Sequence, residues 1–211
     1  MIELVPSIIA YNLEELNRKL SLLEPVSPWA HLDVVDGRFA NTATWQEPAD
    51  LEAVDGRIKL EVHLMIESPE DTLAEWRAVA DRIIIHAEST SQWQEVAEGF
   101  SGHPNQLGVA LKLETPVTWL DPILSQLKFV HLMSIDEIGH HGEVFNEQVF
   151  KKIKELRAKN PDLIISVDGG INKDNLKSLI AAGANHLILG AAIWDAADPA
   201  QAFTKLNDSF N

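Results

Sequence analysis

Apolar residues in this chain fall in short runs, and the runs recur at intervals of roughly 20 to 30 residues. Stretches rich in Ile, Val and Leu cover residues 3–9, 30–34, 59–64, 82–86, 106–111, 129–133, 163–167 and 186–189. Each has strand length, and near-continuous hydrophobicity is what a strand covered on both faces of a parallel sheet requires. The intervening stretches carry helix-start signals: Asn12 with Glu15 three residues on, Ser68 followed by Pro69 and Asp71, Thr115 followed by Pro116, and Asn172 ahead of Asp174. These predict helices after the first, third, fifth and seventh strands. Amphipathic segments over 91–100, 146–159 and 192–206 predict three more, while the second crossover, around 47–54, is short and only weakly helical. Eight strand and crossover alternations favour a closed parallel (β/α)8 barrel over an open sheet.

Composition narrows the function. A chain of 211 residues with 45% hydrophobic content is expected to form one barrel domain over 1–211, since its core is large enough and no Pro/Gly/Ser-rich linker divides it. With 32 acidic against 17 basic residues, the net charge of -15 repels nucleic acid and anionic membrane surfaces. An anionic small substrate then needs a locally favourable pocket. The absence of cysteine excludes disulfides, thiolate metal sites and a cysteine nucleophile. No stretch has the pattern of a signal peptide or a membrane span, so a cytoplasmic location is expected.

Chemistry-bearing residues collect at strand ends. His31 and Asp33 are two apart on the second strand, so both side chains point to one face. His63 ends the third strand and Asp168 follows the seventh. Two imidazoles and two carboxylates can hold a divalent ion while leaving room for a substrate, and barrel active sites lie at the carboxyl ends of the strands. Each residue alone is as well explained by structure: a strand-end histidine by a hydrogen bond, an Asp before Gly-Gly by a turn. Their co-occurrence at strand ends points to a site. His131 is assigned to core filling, one position below the mouth, and His86 with Glu88 to supporting hydrogen bonds or turn chemistry.

Two glycine turns, Asp168-Gly169-Gly170 and Leu189-Gly190-Ala191-Ala192, open toward helices and offer bare backbone N–H groups to an anion, although close packing explains glycine equally well. The stretch from Ser134 to Glu143 is polar and punctuated by Gly139 and Gly142, and its length suits a lid. His140 and His141 within it suit either a substrate anion or solvent.

In order, Pro6-Ser7-Ile8-Ile9, His31-Leu32-Asp33-Val34-Val35-Asp36-Gly37, Val62-His63-Leu64-Met65, His86-Ala87-Glu88, Gly108-Val109-Ala110-Leu111, Leu132-Met133-Ser134, Val167-Asp168-Gly169-Gly170 and Gly190-Ala191-Ala192-Ile193 resemble the ribulose-phosphate 3-epimerase family over nearly the whole chain. The resemblance implies a (β/α)8 barrel that interconverts D-ribulose 5-phosphate and D-xylulose 5-phosphate with one bound divalent metal. Zinc is the first expectation, with iron, manganese or cobalt as alternatives. Carried over by position, His31, Asp33, His63 and Asp168 are the expected ligands, with Asp33 and Asp168 doubling as the acid/base pair. Substrate contacts are expected from Ser7, His63, Met65, Met133, Gly139, Gly142, Gly169, Gly170, Gly190 and Ala191. A sugar phosphate is the expected partner, with no nucleic acid or membrane, and a homo-oligomeric assembly is expected.

The departures from the family pattern lie at the other end of the substrate. Val35 stands where a third methionine is usual, Ala191 where a serine often follows the last glycine, and Lys112 where Asn is common. The usual Asn-Pro-Gly-Phe-Gly-Gly lid is replaced by Asp136-Glu137-Ile138-Gly139-His140-His141-Gly142. Epimerisation of another ketose or ketose phosphate, such as allulose 6-phosphate, is therefore a second reading. A non-catalytic sugar-phosphate-binding barrel is a third.

Overall fold

The computed structural model describes residues 2–53, 58–100, 102–103, 106–140 and 142–209, the side chains of residues 52 and 53 excepted. Eight strands, β1 (Glu3–Ile8), β2 (Trp29–Val35), β3 (Lys59–Met65), β4 (Arg82–His86), β5 (Leu107–Leu111), β6 (Phe129–Met133), β7 (Ile164–Asp168) and β8 (His186–Leu189), close in sequence order into a barrel. All eight pairings are parallel, including β8 with β1. The closed barrel is thus the observed architecture, and closure leaves no free sheet edge.

The helices are α1 (Leu13–Leu23), α2 (Leu73–Val79), α3 (Trp93–Gly99), α4 (Val149–Lys159), α5 (Leu176–Ala182), α6 (Ala191–Trp194) and α7 (Pro199–Asp208). The Asn12 signal operates as expected: its side chain accepts the Glu15 N–H at 2.9 Å, and the Glu15 carboxylate accepts the Tyr11 N–H at 3.0 Å. α1 then lays Leu16, Leu20 and Leu23 on the barrel wall. The crossover at 47–54 is a 3-10 segment, Pro48–Ala53, and Val54 lies outside the described residues. Two expectations need correction. The helix after the fifth strand is instead a pair of 3-10 turns, Val117–Leu120 and Leu124–Gln126, because Pro122 has no N–H to continue an α-helical ladder. The predicted helix over 192–206 is two helices, broken where Asp198 caps α7 by accepting the Gln201 N–H at 2.9 Å and Pro199 takes the first helical position.

The hydrophobic core is mainly a shell between strands and helices, built from residues such as Leu32, Leu64, Ile83, Val130, Val167 and Leu187. Inside the barrel the apolar filling is small, a cluster of Ile84, Ala110 and Phe129 with Ile164. A third apolar cluster sits at the mouth, where Met65 and Met133 pack with Val35, Ala40, Ile135 and Ile138. Between the inner cluster and the mouth, the barrel carries polar side chains.

Candidate functional site

Strand register brings the site together. β2 and β3 pair Asp33 with His63, and His31 with Glu61; β6 and β7 pair Met133 with Asp168, and His131 with Ser166. Side chains two apart share a face, so His31 and Asp33 both enter the barrel, as do Glu61, His63 and Met65. His31, Glu61, His63, His86 and His131 are wholly buried, and Asp33 is 5% exposed.

The four expected ligand residues converge. Asp33 Oδ1 lies 3.3 Å from His31 Nε2 and 3.0 Å from His63 Nδ1, and Asp168 Oδ2 lies 4.0 Å from each of the same nitrogens. Donors that each sit about 2.1 Å from one tetrahedral ion are separated by about 3.4 Å, so these four separations lie within about 0.6 Å of what one divalent ion requires. The buried His31 Nε2 makes no hydrogen bond, as a nitrogen kept for a metal would not.

The imidazoles are held from behind by carboxylates. Glu61 Oε1 accepts from His31 Nδ1 at 2.7 Å, while Glu61 Oε2 accepts from Arg82 Nη1 at 2.6 Å. His63 Nε2 meets His86 Nε2 at 2.9 Å, and His86 Nδ1 lies 3.2 Å from Glu88 Oε2. Neutral His86 donates to Glu88 and accepts from His63 Nε2, while His63 Nδ1, on the other side of the ring, is hydrogen-bonded to Asp33 Oδ1 at 3.0 Å. Glu88 also accepts the Lys112 backbone N–H at 2.9 Å, which gives the supporting role expected of His86 and Glu88 a geometric basis.

Charge states follow from these neighbours. Burial raises the Asp33 carboxyl, but His31 and His63 outweigh it and hold it below the usual carboxylate range. Burial alone lowers His31, yet the Asp33 and Glu61 carboxylates bring it up to about 10 in the metal-free protein. For His86 burial dominates and pushes the imidazole down to about 4, the neutral state its row of hydrogen bonds requires. Burial likewise raises Glu88, but hydrogen bonds from His86, Thr115 and the Lys112 backbone prevail and leave it at about 2.

Above these residues opens a cavity of about 770 Å³. Asp33, Asp168, Ser7, Met65 and Met133 line its floor side, and the glycines Gly139, Gly142, Gly169, Gly170 and Gly190 line it together with Ala191. His31 and His63 lie beneath this lining, fully buried. The segment after β6 covers part of the mouth, and it is less polar than its sequence suggests, because Ile135 and Ile138 tuck against Met65 and Met133. Thr42 ties it down by donating to the Gly139 carbonyl at 2.7 Å. His140 Nε2 faces Glu143 Oε1 at 2.8 Å within the same segment, and His141 lies outside the described residues.

His131 departs from the core role assigned to it. It enters the barrel, and one ligand atom from each of His31, His63, His131 and Asp168 lies within 4.8 Å of the others. Its position two residues before Met133 was the available signal, since both must point inward. Glu61, Arg82, Ser166 and His186 were also missed; a buried Glu two before a site histidine follows from the same alternation.

The family model and the sequence relatives agree on one family. Residues 3–194 match the model described as the ribulose-phosphate 3 epimerase family. The chain is 32% identical over 218 residues to a ribulose-phosphate 3-epimerase of Bacillus subtilis, covering 99% of this chain and 100% of that one. It is 33% identical over 214 residues to a chloroplastic ribulose-5-phosphate-3-epimerase of Arabidopsis thaliana, covering 97% and 75% of the two chains. Among solved structures, a 3-hexulose-6-phosphate synthase superposes with a TM-score of 0.72 at 20% identity over 99% of both chains. A KGPDC from Streptococcus mutans gives 0.74 at 17% identity over 98% and 96%. At such identities these two speak for the barrel alone.

Proposed function

The chain belongs to the ribulose-phosphate 3-epimerase family and is an epimerase, and from that premise we propose that it inverts carbon 3 of D-ribulose 5-phosphate to give D-xylulose 5-phosphate, with the help of a divalent metal. The observation that carries this reading is the pair of carboxylates, Asp33 and Asp168, flanking His31 Nε2 and His63 Nδ1 at the floor of a sugar-sized cavity. Inversion needs a base on one face of the carbon and an acid on the other, and carboxylates carried by two different strands, β2 and β7, support that assignment.

His31, Asp33, His63 and Asp168 would hold the metal. When bound, it supplies a positive charge that stabilises the oxyanion developing at carbon 2. Asp33, kept ionised by its histidine neighbours, takes the proton from carbon 3 of one epimer, and the electron pair left behind spreads onto the carbonyl as an enediolate. Asp168 acts as the acid and returns a proton to the opposite face of the same carbon. The two carboxyl groups then have exchanged protonation states and are set for the reverse substrate. Met65 and Met133 cover the planar intermediate with apolar surface, which keeps water from protonating it at random. The backbone N–H groups of Gly169, Gly170, Gly190 and Ala191 are offered to the phosphate, and Ser7 to a sugar hydroxyl.

Solvent-deuterium exchange tests this reading. Metal-loaded protein should exchange the carbon 3 hydrogen of ribulose 5-phosphate; absence of exchange with any ketose, despite bound metal, would overturn it. A second reading, epimerisation of a six-carbon ketose phosphate, rests on the altered segment after β6 and on Ala191, both of which line the cavity. Exchange confined to a six-carbon substrate would select it.

A further inference from the structure

We propose that His131 is a fifth protein donor to the metal that His31, Asp33, His63 and Asp168 hold in the reading above, on which this inference rests. His131 is wholly buried, and its Nε2 has no hydrogen-bond partner. That nitrogen is aimed into the site: it lies 3.7 Å from Asp168 Oδ2, too far for a hydrogen bond. A buried nitrogen left without a partner requires an explanation, and an electrophile between these donors supplies one.

The other side of the ring is restrained. His131 Nδ1 lies 2.9 Å from Ser166 Oγ, and Ser166 Oγ lies 3.0 Å from His186 Nδ1. One hydroxyl has one proton, so one of these imidazoles must donate to it and the other must accept from it. His186 Nε2 is also without a hydrogen bond but stands 3.2 Å from Glu61 Oε2, and the nearby carboxylate favours the proton on that nitrogen and leaves His186 Nδ1 as the acceptor. Ser166 therefore donates to His186 and accepts from His131 Nδ1, which places the His131 lone pair on Nε2, toward the site. Glu61 fixes His31 in the same sense through its Nδ1. One buried carboxylate thus orients two site histidines, directly and through two intermediaries.

The spacing is compatible with ligation. Donors on opposite sides of one ion are about 4.2 Å apart, so the group His31, His63, His131 and Asp168, whose ligand atoms lie within 4.8 Å of one another, closes on one ion with a contraction of at most about 0.6 Å across an opposed pair. The His131 ring stacks on His31 with centroids 5.3 Å apart and lies 4.7 Å from the His63 ring, so the three imidazoles already form one cluster.

X-ray absorption on the zinc-loaded protein counts imidazole ligands directly. Three are expected in the wild type and two in His131→Leu, with zinc affinity in a chelator competition lowered at least tenfold by the substitution. Ser166→Ala keeps the ring but removes its anchor; it should retain three imidazoles and lose less affinity. Two imidazoles in the wild type would overturn the proposal, as would unchanged affinity and ligand count in His131→Leu. Should the leucine variant fail to fold, the wild-type count decides alone. Carbon 3 exchange is scored separately: three imidazoles without exchange would remove the epimerase reading and support the assignment of His131, whereas exchange with two would remove only His131.

Discussion

Glu61 is the residue on which most of the buried polar structure depends. Wholly buried, it faces His31, Arg82 and His186, and the Arg82 guanidinium also stacks on Phe129 at 4.3 Å. Glu61→Gln keeps the shape but removes the charge that compensates Arg82. Breaking a buried ion pair typically costs about 3–5 kcal/mol, so a lower urea midpoint is expected, together with weaker zinc binding because His31 loses its anchor. Asp168 separates chemistry from folding more cleanly. Asp168→Asn cannot exchange a proton with carbon 3, and loss of one acid/base group lowers turnover by roughly 10²–10⁴-fold. Isotope exchange should therefore collapse while circular dichroism stays that of the wild type. Both residues illustrate what a sequence reveals at this scale. Asp168 was legible because it closes an apolar run and precedes two glycines, whereas Glu61 acquires its meaning only from the register that sets it opposite His31.

Elements differ in how plainly they are written. Strands bounded by turns were readable to within a residue or two because a fully covered strand must be apolar throughout. The crossovers were harder: Thr115-Pro116 is a sound helix start, but Pro122 arrives before one full turn has been stabilised, and 3-10 turns result. The Asn12 cap reads correctly because its side chain has a backbone N–H within reach, whereas Ser68 makes no such bond and adopts φ 53°, and the Asp198 cap, which splits the helix expected over 192–206, is not anticipated. The loop after β6 was recognised as a cover, while the packing of Ile135 and Ile138 beneath it was not, since short apolar residues in a polar loop carry no periodicity. This loop depends on the turn after β7. Gly170 has φ 65°, and a Cβ there would lie 2.6 Å from the Phe145 backbone nitrogen. Gly170→Ala should therefore displace the cover without touching the acid/base pair. KM for the sugar phosphate is expected to rise about tenfold, equivalent to about 1.4 kcal/mol, with a smaller change in kcat; steady-state kinetics by the exchange assay checks the split.

For the whole molecule the decisive quantity is how many protons the folded and unfolded chains hold. Burial pushes His86 down to about 4 and His131 down to about 3, so both are neutral in the folded metal-free protein at pH 6. In the unfolded chain each takes a proton near 6.5. Between pH 6.5 and 4 the unfolded state holds more protons, and stability falls as the pH falls, by about 1.4 kcal/mol per pH unit for each histidine. His31 acts in the opposite window. Its carboxylate neighbours bring it up to about 10, so above 6.5 the folded protein retains a proton that the unfolded chain has released, and stability declines as the pH rises. That decline is cut short near pH 8, where burial of Lys152 lets its amine lose a proton before the unfolded chain does and supplies an equal slope of opposite sign. The chelator-treated protein should accordingly be most stable near pH 6.5, with an acid limb about twice as steep as a short basic limb. Urea midpoints at half-unit steps from pH 5 to 9 measure both limbs. His131→Leu should halve the acid slope and leave the basic one, whereas an acid limb unchanged by that substitution would place His131 in a setting that tolerates its charge. Saturating zinc should raise the whole curve, by about 2.7 kcal/mol at a free concentration one hundred times Kd, and most strongly on the basic limb, where the proton it displaces from His31 is already easier to remove.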